Sequence, residues 1–382
     1  MKSVSIVFLI VILTSFSCNT TRRDHPQNSS VPGGSVMLDY AEKFSIDTRD
    51  KLSILKVYTP WQNAADAHFE YLLFPKGIPL KDSLKNVSLI RTPISRAVIM
   101  STTFISFIDT LGMLSSVKGV SGGNYIYNQE LRKYMQNGHT RDVGFDGALN
   151  YELLVDMNPE VVFLFGVQSG IVQLMDKLQE IGIPAVICAD YLEPHPLGRA
   201  EWLRFFAVFY GKEKLASSIF DEISEAYNTL ADSASGLDFT PTVLLGLPWK
   251  DTWYIAGGKS FAAKLIHDAG ASYIFKDEDH AEAKPYNIES VFSRAMHADF
   301  WINPGIAETK ENILDHDERF GKLKAMIDGK VYNNNKRLGP GGGNDYWESG
   351  ILHPEILLND LVNIFHSDSV SASALNYYLK ID

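Results

Sequence analysis

The chain has 382 residues, of which 45% are hydrophobic, 12% aromatic and 21% charged. That composition is globular, long enough for two or three domains, and it excludes a disordered, collagen-like or disulfide-stapled chain. A formal charge of −11 also excludes the basic stripe on which nucleic-acid binding depends, so nucleic acid is not an expected partner.

Residues 1–17 read as an export signal: Lys2 is followed by the apolar run 4–13 and then by small residues. The run is shorter than the roughly 20 residues of a spanning helix, which marks a cleaved signal. Cys18 follows Ser15-Phe16-Ser17 at the end of this region and resembles a bacterial lipobox cysteine. It is the expected lipidation site, and the mature protein is expected to be periplasmic and lipid-anchored to a membrane. Residues 18–35 are polar and suit a flexible tether. Cys188, in the apolar run 184–189, is read as a small buried side chain; with Cys18 acylated, neither a disulfide nor a cysteine-based zinc site can form.

Within residues 36–95, an N-terminal β extension, 52–58 and 68–74 alternate as strands and predict a hairpin. From Arg96 short apolar strands at 97–100, 161–165 and 185–189 alternate with helices at 104–111 and 171–181. These are βα units around a parallel sheet, an N-lobe over 96–196. Linking helices fill 197–236. Apolar residues recur at three- and four-residue spacing from Trp202 to Leu230, and Gly211 breaks the run, leaving a second helix of about 22 residues, about 33 Å long. The βα pattern resumes over 237–382, a C-lobe, with strands at 242–247, 253–255 and 300–303 and a helix at 261–269. The predicted fold class is α/β: two lobes with parallel sheets joined by a single long helix, plus the N-terminal extension.

An internal echo supports two related lobes. Asn150-Tyr151-Glu152 leads through a short helix to Asn158-Pro159-Glu160 and the strand 161–164, and Asn287-Ile288-Glu289 leads likewise to His297-Ala298-Asp299 and 300–303. Each Asn suits a helix N-cap, and each Glu then lies in the first turn, where the helix dipole favours negative charge.

These features together resemble the substrate-binding proteins of ABC importers that serve iron chelates, haem and cobalamin, the helical-hinge or class III binding proteins. The resemblance runs over roughly residues 96–366. It is carried by the two Asn-x-Glu helices, by Arg96-Ala97-Val98-Ile99-Met100-Ser101, and by Trp253-Tyr254-Ile255-Ala256-Gly257-Gly258-Lys259-Ser260-Phe261 followed by Ala269-Gly270-Ala271. It implies a monomer that captures a small-molecule metal complex and hands it to an inner-membrane ABC permease. It also implies that Glu152 and Glu289 dock on arginines of that permease. The expected ligand is an iron complex, siderophore or haem, with cobalamin or another corrinoid as the alternative; no resident cofactor and no catalysis are expected.

Site candidates come from the loops. Gly119-Val120-Ser121-Gly122-Gly123 satisfies the nucleophile-elbow pattern of Ser hydrolases, the rival from another class, but the segment after Ser121 does not start a convincing helix. The run 339–347 lacks the Lys-Ser/Thr ending of a phosphate loop and is read as a flexible loop presenting Tyr346 and Trp347 to the cleft. Tyr125 and Tyr127 in one lobe, and Trp249, Trp253 and Tyr254 in the other, flank strand ends and suit a broad, flat ligand gripped from both sides. Strand alternation requires Trp253 or Tyr254 to point inward. Lys250, Lys336 and Arg337 lie beside these positions and suit an anionic chelate. The ten histidines show no metal-ligand spacing, so no metal site is expected.

Overall fold

The computed structural model describes residues 34–49, 51–64, 67–77, 88–166, 170–367 and 371–382. The expected signal, Cys18 and nearly all of the tether lie outside the described residues. From Gly33 onward the chain is one compact unit, built on three five-stranded sheets and a two-stranded ribbon.

The first sheet holds β1 (Gly34–Val36), β2 (Phe44–Arg49), β3 (Leu52–Tyr58), β4 (His68–Pro75) and β5 (Ser88–Thr92) in sequential order. The predicted hairpin is β3–β4, in which Leu55 faces Tyr71; β5 joins β4 in parallel. This sheet is fastened to the next one. The Tyr71 hydroxyl accepts the Ile187 N–H at 3.0 Å, and Lys76 meets Glu160 at 2.6 Å. Burial would raise the Glu160 pKa, but Lys76 and the Ser95 hydrogen bonds outweigh it and hold the carboxyl at about 2. Two buried carboxylates clasp the approach to β2. Glu201 accepts the backbone N–H groups of Asp39, Tyr40 and Ala41 at 2.8–3.0 Å, and Glu193 accepts those of Glu42 and Lys43 at 2.8–3.1 Å.

The second sheet, β6 (Ala97–Ile99), β7 (Val117–Val120), β8 (Arg141–Asp142), β9 (Val161–Phe165) and β10 (Ala185–Cys188), is parallel throughout, in the order β10-β9-β6-β7-β8. Its central strands are uniform apolar runs because both faces are covered. Cys188 is buried and unpaired as a thiol. The strand order reverses between β6 and β9, so the loops leaving those strands diverge and open a crevice at their carboxyl ends.

The third sheet lies in the order β13-β11-β15-β16-β17, and β12–β14 form the ribbon: β11 (Thr242–Leu245), β12 (Thr252–Ala256), β13 (Ser272–Tyr273), β14 (Ala283–Asn287), β15 (Phe300–Ile302), β16 (Val331–Asn333), β17 (Leu379–Lys380). All its pairs are parallel except β16–β17. The echo is physical: Asn150 accepts the Leu153 N–H and Asn287 the Ser290 N–H, each capping its helix.

Two helices join the lobes, and they differ more than their shared periodicity suggests. Gly211 ends the first, Pro196–Tyr210, in the left-handed conformation at φ 65°. Every residue of that helix except Arg199 is buried, so it is a central beam and not an amphipathic surface rod. Phe206 and Phe209 pack on Phe163 of the second sheet, while the Arg199 guanidinium lies 4.0 Å from the Phe261 ring of the C-lobe. The second, Glu213–Ser235, has 23 residues, about 34 Å at 1.5 Å per residue.

Candidate functional site

At the crevice of the second sheet the two lobes and the N-terminal sheet enclose a cavity of about 670 Å³. Phe165, the last residue of β9, and Thr103, just beyond β6, line it at the carboxyl ends of the strands, where an open parallel sheet places ligands. Asp190 and Tyr191 come from the turn after β10, Arg199 from the first linking helix, Ser260 and Phe261 from the start of the helix Phe261–Asp268 after β12, and Trp347 from the short helix Asp345–Glu348. The walls are therefore aromatic, with a few fixed polar groups, the make-up of a small-molecule site.

Those polar groups are held in place by their own bonds. Arg199 donates Nε to the Glu193 carbonyl at 3.1 Å and Nη2 to the Tyr191 carbonyl at 2.7 Å. The Tyr191 hydroxyl donates to the Gly166 carbonyl at 2.7 Å. Asp190 is 1% exposed; burial raises its pKa to about 6 against the opposing pull of Arg199. Its Oδ1 has no hydrogen-bond partner, an arrangement that costs free energy until a donor arrives. The Glu193 carboxyl, pushed up to about 7 by burial, closes the wall behind them. Among the described residues no three His, Cys, Asp or Glu side chains gather as a metal site.

A second cavity of about 510 Å³ lies over the carboxyl ends of β15 and β16, lined by Asn303, Ile306 and Asn335. Trp347 lines both cavities. Between them runs a strut from the C-lobe. Glu348, 3% exposed, accepts the N–H groups of Tyr127 and Asn128 in the N-lobe at 2.8 and 2.7 Å. The glycine run lies directly on N-lobe backbone: a Cβ on Gly341 would stand 1.9 Å from the Asn124 carbonyl oxygen, and one on Gly343 1.7 Å from that of Tyr125. The run 339–343 is thus a seat for close backbone approach and not the flexible loop its glycines suggested.

The remaining predicted positions separate. Trp253 and Tyr346 are core, 0% and 1% exposed: alternation turns Trp253 toward Trp301 and Phe320, and Tyr346 packs on Tyr377 and Tyr378. Tyr254 is therefore the outward partner of Trp253, and with Trp249 it is exposed on the C-lobe, lining neither cavity. Lys250 lies 4.5 Å over the Trp249 ring. Lys336 ties the C-terminal segment by donating to the carbonyls of Ala372 and Leu375. Arg337 pairs with Asp345 at 2.8 Å and covers the Tyr127 ring at 5.3 Å, so these two cations hold the strut and C-lobe together. Tyr125 is exposed beside the strut. The cationic groups that do line the cavity at the crevice of the second sheet, Lys43 and Arg199, lie just before β2 and within the first linking helix, where the spacing signals packing and not a site.

Ser121 does not sit on an elbow. β7 ends at Val120, Gly122 takes φ 67°, and a single 3-10 turn at Gly123–Tyr125 follows in place of a helix. Glu152 and Glu289 are exposed in the first turns of Tyr151–Met157 and Ile288–Ala295. Arg319 reaches Glu289 at 3.5 Å.

Two parallel-sheet lobes, bridged by helices and facing each other across a ligand-sized cleft, define a bilobal solute-binding protein. The chain belongs to the periplasmic binding protein family, whose model matches residues 108–338. An uncharacterized lipoprotein of Methanocaldococcus jannaschii is 27% identical over 325 residues, covering 81% of this chain and 76% of the relative. A possible iron-binding periplasmic solute-binding protein from Staphylococcus epidermidis superposes with a TM-score of 0.57 at 17% identity, over 72% of this chain and 100% of its own. A periplasmic heme binding protein from Pseudomonas aeruginosa also gives 0.57, at 16% identity, over 76% and 98%. At those identities the likeness establishes the fold.

Proposed function

We propose that this protein captures an iron complex, a ferric siderophore or haem, in the cavity at the crevice of the second sheet and delivers it to an inner-membrane ABC permease. The observation that carries the reading is the aromatic cavity of about 670 Å³ at the crevice of the second sheet, between the lobes. Its volume falls within the range of about 300–1,000 Å³ for drug-sized ligands, and its lining mixes the cations Lys43 and Arg199 with the carboxyl groups of Asp190, Glu193 and Glu282, so it can meet a chelate of mixed polarity. Haemin, a ferric hydroxamate and cyanocobalamin titrated against intrinsic Trp fluorescence test it. One of the iron probes should bind with Kd below about 10 μM, roughly −7 kcal/mol. Tightest binding of cyanocobalamin would move the reading to a corrinoid carrier, and binding of only a bare divalent metal or an oligosaccharide would end it.

Delivery to the permease runs through Glu152 and Glu289. Each is also a first-turn residue favoured by its helix dipole, worth about 0.3–1 kcal/mol, and the two roles are compatible. Reversing both to Lys should leave ligand affinity within about twofold yet impair uptake, because close charge pairs at such interfaces are worth about 1.5–7 kcal/mol. Normal uptake by the double variant would reject docking. Anchoring runs through Cys18: Cys18→Ala should shift the protein from the membrane to the soluble fraction, with loss of fatty acylation from its intact mass.

A further inference from the structure

The N-terminal sheet reaches the ligand cavity, and it does so with a turn that lies outside the stretch matched by the family, residues 108–338. Thr59, Trp61, Gln62 and Asn63, all between β3 and β4, line the cavity together with Lys43. The turn adopts demanding backbone. Thr59 has φ 46° and Asn63 φ 62°, and a β-branched residue enters that left-handed region only when its surroundings dictate it. They do so through bonds from Thr59 N–H to the Ala67 carbonyl at 2.9 Å and from Ala64 N–H to the Trp61 carbonyl at 3.1 Å. At the turn end of β3 the Tyr58 N–H donates to the Lys43 carbonyl at 2.8 Å, next to the Glu193 clasp, and Tyr71 of β4 is fastened to Ile187. These bonds aim the turn into the cavity, as a recognition element on a scaffold is aimed.

Its chemistry complements the other walls. Trp61 is half-buried and braced by Phe69, ring centroids 6.3 Å apart. Gln62 and Asn63 are exposed, each with a carboxamide that both donates and accepts. Tyr191, within hydrogen-bond reach of the Gln62 backbone, adjoins the turn, and the rest of the lining includes Phe261, Trp347, Arg199 and Asp190, whose Oδ1 has no partner.

We propose that the turn Thr59–Asn63 is a specificity-determining third wall of the ligand site. It selects a ligand with a flat ring face, for Trp61, bordered by carboxylate or carboxamide groups, for Gln62, Asn63 and Lys43. This inference rests on the reading of the cavity as the ligand site, and it assigns to the added sheet a role in recognition as well as in stability.

The test uses the full chain and five probes: haemin, a ferric hydroxamate, cyanocobalamin, a bare divalent metal and an oligosaccharide. The wild-type ranking of the probes judges the iron reading; the ratio of variant to wild-type Kd for whichever probe binds best judges the turn. Trp61→Ala should weaken that probe about tenfold or more, since aromatic contacts add to the area they bury. Trp61→Phe should recover most of the loss. Because Trp61 also packs on Phe69, the exposed pair Gln62→Ala/Asn63→Gly provides a variant that leaves the packing intact and keeps φ 62° at position 63 accessible. It should lower affinity for ring ligands with polar rims and so change the order of the probes. The inference is overturned if both variants bind the best probe within about twofold and in an unchanged order while Phe261→Ala weakens it.

Discussion

Gly343→Val should drive the two lobes apart and weaken ligand capture by about tenfold or more. The new Cβ would meet the Tyr125 carbonyl at 1.7 Å, and that oxygen belongs to the backbone, which cannot swing aside as a side-chain tip can. Overpacking of this kind typically costs about 1–3 kcal/mol, and about 1.4 kcal/mol is a tenfold change in affinity. The strain is released by opening the seam between the strut and residues 124–128, which also breaks the two bonds to Glu348. Spin labels on the exposed faces of the two lobes should report a longer distance in the variant. An unchanged distance distribution together with a Kd within about twofold would show that the strut does not set the lobe arrangement.

Glu201→Ala should lower stability by about 3 kcal/mol and free the segment that precedes β2. The carboxylate accepts three backbone N–H groups and faces Arg204, itself 4% exposed, at 3.0 Å. Removing one partner of a buried pair leaves the other uncompensated, a loss of about 3–5 kcal/mol; Asp221, at 3.1 Å from the other Arg204 nitrogen, moderates it. Hydrogen exchange should accelerate at Asp39–Ala41, and unchanged protection there would contradict the clasp. Its neighbour Glu193 adds a pH dependence with a defined sign. Burial raises its folded pKa from 4.5 to about 7, so the folded state holds that proton more tightly than the unfolded state. The stabilisation is complete below about pH 4.5 and is lost as pH rises through about 7. Glu348, also raised to about 7 by burial, acts in the same direction. The Tm should therefore fall between pH 5 and pH 8, and Glu193→Gln should flatten the slope; a Tm that rises over that interval would refute the assignment.

The lobes were legible because their signals are local. Parallel strands buried on both faces read as short apolar runs, as Val161–Phe165 does. Asn150, Asn287 and Gly211 carry their cap and stop signals in their own side chains, or in the lack of one. The ligand cavity was largely illegible, because eight separate stretches of chain between Lys43 and Ile351 converge on it, and of the predicted site residues Trp347 alone lines it. Aromatic loop residues drew attention instead, and Trp253 and Tyr346 proved to serve the C-lobe core. A usable signal was present in Glu201, an acid inside the apolar helix Pro196–Tyr210, and in Glu193 just before it: buried acids must find partners, and theirs are the backbone of the N-terminal segment. That pairing places the added sheet beside the cleft, where its turn becomes a wall.

The position of Trp347 between the two cavities also bears on the clock of ligand exchange. Rotation of one indole takes picoseconds to nanoseconds at an exposed site, whereas hinge motion of whole lobes takes microseconds to milliseconds. A fragment small enough to pass once the indole turns aside should exchange on the first timescale. A bulky chelate waits for the Glu348 seam to part, and its residence time is set by the second.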